Sequence, residues 1–135
     1  MKNYNSALTV DCIIFSGESI VLIKRRNPPF QGFFALPGGY VEEGETVEAA
    51  CIRETKEETN LDVKNLSLIG VYSEPSRDPR GRAVSFAFSA EVVDLSIMKA
   101  GDDAKELEVI KDWENLDLAF DHKKIIIDAL KARKI

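Results

Sequence analysis

Between positions 42 and 58 the chain carries seven glutamates: Glu42, Glu43, Glu45, Glu48, Glu54, Glu57 and Glu58. A solvated acidic helix face is one reading of such a run. Three features of its second half point to cation binding instead. Glu54, Glu57 and Glu58 are spaced at i, i+3 and i, i+4, which on a helix confines them to an arc of about 100°. Val47, Ala50 and Cys51 fall on that same arc, so the carboxylates share the apolar side rather than opposing it. They also lie in the last turns of the helix, where the macrodipole disfavours negative charge, and Glu54 and Glu58 form a repulsive i, i+4 pair. Arg53 can pair with Glu57, but one arginine does not neutralise three carboxylates. Carboxylates placed against stability in this way are expected to hold a cation. Clustered oxygen ligands suit Mg²⁺ or Mn²⁺, which keep waters and take substrate phosphates at their remaining positions. Zinc does not fit, since His122 is the only histidine and Cys12 and Cys51 lack ligand spacing.

Positioning those glutamates requires a helix over Glu45 to Thr59, started after Gly44 and ended by Asn60, a residue that tolerates the left-handed cap conformation. Ala7 to Phe15 and Ser19 to Lys24 read as strands of a hairpin turning at Gly17-Glu18. Arg25 to Phe34 is a loop interrupted by Pro28-Pro29, and Pro37-Gly38-Gly39 is a sharp break before the helix. Leu66 to Ser73 and Arg82 to Val93 alternate as strands, joined by the loop Glu74 to Gly81. Leu107 to Ile110 is a weaker strand. Asp121 to Lys134 forms a second helix, with Asp121 a plausible N-cap and Lys131, Arg133 and Lys134 complementing the C-terminal dipole. Helices interspersed among strands imply a mixed sheet with helices packed on it.

The 135 residues fit a single domain spanning 1–135. Apolar residues at 44% and charged residues at 30% are enough for a core and argue against wholesale disorder. Eighteen basic against 23 acidic residues leave a net charge of −5, which argues against nucleic-acid and anionic-membrane surfaces. An acidic chain that handles phosphate needs a metal to mediate. Cys12 and Cys51 read as buried free thiols. The N-terminus lacks a secretory signal, and no apolar run approaches the length needed to span a bilayer, so the expected location is the cytoplasm.

Gly39, Glu45, Arg53, Glu54, Glu57, Glu58 and Leu61 stand at the spacing G-x5-E-x7-R-E-U-x-E-E-x-G-U, and this segment resembles the Nudix box. Two positions depart from it: Thr55 stands for an apolar residue and Asn60 for the glycine. Phe34-Ala35-Leu36-Pro37-Gly38-Gly39 is similar to the family's lead-in to the box. The resemblance implies an α/β class fold, a Nudix-type α/β/α sandwich around a mixed sheet. It further implies hydrolysis of a nucleoside diphosphate linked to another group, with Mg²⁺ or Mn²⁺. Carried over by position, Glu54 and Glu58 are metal ligands, Glu57 is a further or shared ligand, and the Gly38 carbonyl is a backbone ligand. Arg53 and Glu45 orient the carboxylates. The base that activates water is either Glu57 or an acid in a later loop; Asp102-Asp103-Ala104-Lys105-Glu106 is such a stretch, with Glu106 the candidate, although a solvated turn fits it equally. Family members are often homodimers, and one is expected here.

Within the family the chain resembles the ADP-ribose pyrophosphatase subgroup through Pro75, fourteen residues past Leu61, and through Leu118-Ala119-Phe120-Asp121-His122. Val109-Ile110 departs from that subgroup, which carries an aromatic pair there. Arg26, Arg77, Arg80 and Arg82 could meet phosphates or ribose through their guanidinium forks, or serve as surface charge. Phe30, Phe33 and Phe34 could stack on adenine, with core packing the alternative for at least one of them. His122 reads as structural. The expected small-molecule nucleotide substrate is ADP-ribose, cleaved to AMP and ribose 5-phosphate. A MutT-like pyrophosphohydrolase of oxidised or normal dNTPs is the nearest alternative, and a non-catalytic ADP-ribose sensor the other. The intact glutamate cluster argues against the sensor.

Overall fold

Five successive residues, Val10-Asp11-Cys12-Ile13-Ile14, are buried in one strand, as happens when both faces of a sheet are covered. That strand, β1 (Ala7–Ser16), is central in the computed structural model, which describes residues 5–101 and 104–133. It turns at Gly17, with φ 60°, into β2 (Ser19–Arg25). Two short strands follow, β3 (Phe34–Ala35) and β4 (Gly38–Tyr40), then helix α1 (Val47–Thr59). The chain continues through β5 (Val63–Tyr72), β6 (Ala83–Val92) and β7 (Ala104–Ile110) to helix α2 (His122–Arg133). The strands run β3–β2–β1–β6–β5, with β4 added beside β1 and β7 beside β2. β1 and β6 are parallel and the remaining pairings antiparallel, so the sheet is mixed, as expected.

Strand alternation divides the core in two. Val10, Cys12, Ile14 and Val21 project to one face and pack with Ala50, Cys51 and Leu61 of the α1 region. Ile13, Ile20 and Leu22 project to the other and pack with Ile125, Ile126 and Ala129 of α2. The two layers of helix complete the sandwich, each fully buried aliphatic side chain contributing roughly 1.5–3 kcal/mol. Both cysteines are buried and free, as read from the sequence. Among the described residues no helix is long and apolar enough to cross a membrane.

The element boundaries correct the sequence reading in places that matter for the site. α1 starts at Val47 rather than Glu45, because Thr46 caps it by accepting the Ala49 N–H at 3.1 Å. Glu45 is thereby left outside the helix, where its carboxylate accepts the Glu42 N–H. Asn60 does end α1, at φ 63°, donating its N–H to the Lys56 carbonyl. Two more terminal carbonyls are satisfied from a distant segment, Glu58 by Gly101 N–H and Thr59 by Lys99 N–H. β5 begins at Val63, three residues before the expected start. α2 begins at His122, and the Asp121 carboxylate, expected to cap it, is taken up by Arg77.

Candidate active site

Helix α1 delivers its glutamates unequally. Glu58 lies on the buried stripe with Cys51 and Thr55, and Glu54 borders it, its side chain 16% exposed. Glu57 sits at the opposite margin of the arc, 57% exposed. Glu54 and Glu58 line a cleft of about 320 Å³, within the range of small-molecule sites; Glu57 does not line it. Thr55, the departure from the box pattern, is fully buried and its hydroxyl has no hydrogen-bond partner among the described residues.

Arg53 ties the glutamates together. Its Nη2 donates to Glu45 Oε1 at 2.6 Å and to the Tyr40 carbonyl at 2.9 Å, its Nε to Glu45 Oε2, and its Nη1 to Glu54 at 2.8 Å and Glu57 at 3.3 Å. The Glu45 bond, with those of Glu54 and Glu57, raises the Arg53 pKa above its ordinary value, and the Glu45 carboxyl is lowered in turn. Arg53 thus joins Glu45, Glu54 and Glu57 in one hydrogen-bonded set.

The glycine pair faces the same carboxylates. Cys12 N–H donates to the Pro37 carbonyl and Val41 N–H to the Leu8 carbonyl, which makes Asp11 and Gly38 a non-hydrogen-bonded pair in the β1–β4 ladder. Both polar backbone groups of Gly38 consequently point away from β1, and its N–H reaches Glu58 Oε2 at 3.4 Å. A Cβ on Gly39 would lie 2.3 Å from Glu54 Oε2, so only glycine lets that carboxylate close onto the backbone. Among the described residues no three acidic, histidine or cysteine side chains form a ready-made metal cage. Two recessed carboxylates beside an outward-facing backbone carbonyl are nevertheless hard oxygen donors suited to Mg²⁺ or Mn²⁺, whose remaining positions go to water and phosphate.

The rest of the cleft is cationic and aromatic. Arg25 and Arg80 flank the Phe120 ring, their guanidinium carbons 5.0 Å and 5.6 Å from its centroid. Arg26 and Tyr40 complete this wall. Phe120 holds its ring there from φ 53°, a conformation costing an L-residue roughly 1–2 kcal/mol. Arg25 donates Nε to the Pro29 carbonyl at 2.8 Å. Arg80 is held by the buried Asp78, which accepts both its backbone N–H and its side chain.

A buried polar network forms the floor. Arg77, its side chain 5% exposed, grips Asp121 through two bonds of 2.9 and 2.7 Å and lies 3.9 Å from Asp11. Asp11 accepts from His122 Nε2 at 3.1 Å and from the Ser85 hydroxyl. Burial alone would raise the Asp11 carboxyl, but His122, Ser85 and Arg77 outweigh it and hold its pKa below the ordinary value.

The sequence-predicted substrate residues fare unevenly. Arg26, Arg77 and Arg80 line the cleft, although Arg77 is already neutralised by Asp121. Phe30 does not line it: the ring packs against Phe33 and Phe120 in a small cluster with Ile23 and Ala35. Phe33 belongs to that cluster and Phe34 to the α2-side core, so packing accounts for both. Pro75 and Arg82 are exposed and outside the cleft. Glu106 stands in β7 opposite Lys24, not in a loop. Lys24 lies over the ring of Phe34 on the α2 side of the sheet, so its cross-strand partner Glu106 projects to that side, away from α1 and its glutamates. Asp102 and Asp103 lie outside the described residues. Asp11, Arg25, Asp78 and Phe120 were missed. For Asp11 a signal existed: a lone carboxylate inside a doubly buried apolar strand is costly unless it is paired for a purpose.

The chain is similar to known proteins over most of its length. The NUDIX domain matches residues 5–132. The chain is 57% identical over 126 residues to the ADP-ribose pyrophosphatase of Methanocaldococcus jannaschii, covering 93% of this chain and 73% of that protein. The NUDIX domain of Shewanella oneidensis NrtR, solved in complex with ADP ribose, superposes with a TM-score of 0.88 at 26% identity, covering 96% and 90% of the two chains. A bifunctional NMN adenylyltransferase/ADP ribose pyrophosphatase from Francisella tularensis, complexed with AMP and a Mn ion, superposes at 0.83 with 29% identity. This chain spans 42% of that protein and 95% of itself is covered.

Proposed function

Because the chain belongs to the NUDIX family, we propose that it is a divalent-cation-dependent hydrolase that cleaves the pyrophosphate bond of ADP-ribose, releasing AMP and ribose 5-phosphate. The observation that carries this reading is the polarity of the cleft, with the recessed Glu54 and Glu58 on one side and three guanidiniums beside an aromatic ring on the other. That arrangement matches a molecule with a diphosphate at its centre and a planar base at one end. The archaeal relative, similar along 93% of this chain, bears the name of this activity.

Glu54 and Glu58, with the Gly38 carbonyl, would hold Mg²⁺ or Mn²⁺, which when bound offsets phosphate charge and makes a coordinated water more acidic. Arg25, Arg26 and Arg80 supply guanidinium donors to the diphosphate oxygens, with Arg25 held by the Pro29 carbonyl and Arg80 by Asp78, each using the N–H groups that those bonds leave over. Phe120 and Tyr40 offer ring faces to the base. Arg53 fixes Glu54 and Glu57 in one geometry, so that the carboxylates need not reorganise as charge develops. Of the two candidate bases, Glu57 stands outside the cleft lining but shares Arg53 with Glu54, whereas Glu106 pairs with Lys24 in β7. Glu57 is therefore the base in this reading, and it accepts the proton of the attacking water from the edge of the cleft.

The test is a Mg²⁺-dependent assay with separated products, run on ADP-ribose beside dGTP and 8-oxo-dGTP. AMP and ribose 5-phosphate forming much faster than any dNTP is cleaved is the expected result. Glu57→Gln should lower kcat by at least about 100-fold, the scale of general-base catalysis, while Glu106→Gln leaves it unchanged. Preferential pyrophosphate release from a dNTP would overturn the substrate assignment, and the reverse ranking of the two variants would overturn the base.

A further inference from the structure

Three polar backbone groups of the segment entering the glutamate helix are held by three different elements. The Pro37 carbonyl accepts from Cys12 in β1, and Gly38 N–H reaches Glu58 in α1. Two residues before Gly38, Leu36 N–H donates to Nδ1 of His122 at 3.0 Å, across 86 positions of sequence. Because Nδ1 accepts, the ring is the Nε2–H tautomer, and that second nitrogen donates to Asp11 Oδ1 at 3.1 Å. The same Oδ1 lies 2.9 Å from where a Cβ on Gly38 would stand. His122 thus bridges the backbone leading into Gly38 and the carboxylate packed behind Gly38. It is 4% exposed, and its place at the start of α2 is set by the Asp117–Ala119 segment, which bonds to Phe34 on both sides.

Either bond would dock α2; the one made by Nδ1 also ends on the backbone two residues before Gly38. We propose that His122 is a positioning residue for the cation site: its Nδ1 holds Leu36, and through it Pro37 and Gly38, at the setting in which the Gly38 carbonyl and the Glu58 carboxylate serve one cation. The inference rests on the reading of Glu54, Glu58 and Gly38 as the cation-binding group.

Two substitutions separate the two ring nitrogens. Asparagine places its amide oxygen near Nδ1, so His122→Asn keeps an acceptor for Leu36 and loses the donor to Asp11. Glutamine places its amide nitrogen near Nε2, so His122→Gln keeps the donor and loses the acceptor. Mn²⁺ titration of the full chain, followed by the electron paramagnetic resonance of free Mn²⁺, should give His122→Asn an affinity within about threefold of the parent. His122→Gln should bind at least about tenfold more weakly, the scale found when support of metal ligands is lost. Equal Mn²⁺ affinity in the two variants, or losses that merely follow their melting temperatures, would overturn the proposal. Glu58→Gln is the control for the underlying reading: if it binds Mn²⁺ as tightly as the parent, the cation site itself is wrongly assigned, whatever His122 does. A measurement on the unmodified chain covers the case in which a variant does not fold. Titration with Mg²⁺ alone should shift the Leu36 amide and His122 Nδ1 nuclear magnetic resonances with the midpoint of metal binding, and unmoved resonances would refute the coupling.

Discussion

Gly38 and Gly39 are adjacent and chemically identical, yet alanine should act on them in opposite ways. At Gly39 the new Cβ would lie 2.3 Å from Oε2 and 2.4 Å from Cδ of Glu54. What must yield is the end of a flexible side chain, so Glu54 swings away and the β1–β4 ladder stays intact. Gly39→Ala is therefore expected to melt within about 1 kcal/mol of the parent, helped by the lower entropy of the unfolded chain. Its Mn²⁺ affinity and ADP-ribose turnover should each fall by at least about tenfold. At Gly38 the obstacle is the Val10 carbonyl oxygen at 2.0 Å, main chain of the central strand. That is roughly 1.4 Å inside ordinary contact, a distance only the strands themselves can supply by separating. Two or three ladder hydrogen bonds at about 1 kcal/mol each set the loss at about 2–3 kcal/mol. For a domain of this size that lowers Tm by roughly 8–12 °C. Circular-dichroism melts in EDTA read the stabilities, and Mn²⁺ titration reads the site. Equal melting temperatures for the two variants, or a Gly39→Ala protein with parental Mn²⁺ affinity, would falsify the reasoning.

Arg53→Lys keeps the charge but cannot span Glu45, Glu54, Glu57 and the Tyr40 carbonyl at once, so kcat/KM should fall about 10–100-fold. Arg53 is partly exposed and solvent screens its ion pairs, so the accompanying stability loss should be no more than about 1 kcal/mol; a variant with parental turnover would show that the arginine only solubilises the helix. The acid limb of stability follows from Asp11 and Asp78, both held below their ordinary carboxyl pKa of 3.8 against the opposing effect of burial. A carboxyl depressed in the folded state stabilises fully above its unfolded pKa and loses that contribution as pH falls through the folded value. The urea midpoint should therefore be level from pH 7 to about pH 5 and drop below about pH 4, less steeply in Asp11→Asn. A parental slope in that variant would exclude Asp11 as a contributor.

The features legible from the sequence alone are local ones. Glutamate spacing, the Asn60 cap, strand alternation and the order of elements all depend on neighbours a few residues apart, through helical periodicity, backbone preference and the two-residue repeat of a strand. The family motif is legible for the same reason, because its ligands and their braces lie within twenty-one residues, from Gly38 to Glu58. Within that window spacing still left the outcome open. An arc of about 100° is wide enough to reach from the buried side of α1 to solvent, and only the sheet packed against it decided that Glu58 faces inward and Glu57 outward. Glu106 lost its expected place to strand register, since its pairing with Lys24 fixes the side to which it points. Phe120 took the cleft position expected of Phe30 because the Asp117–Ala119 segment is stitched to β3, a contact between residues more than eighty apart. The floor of the cleft joins positions 11, 77, 85, 121 and 122, and no local pattern announces such a network. Burying those charges is unfavourable for each residue alone, and it becomes stable only when the tertiary fold brings the partners together.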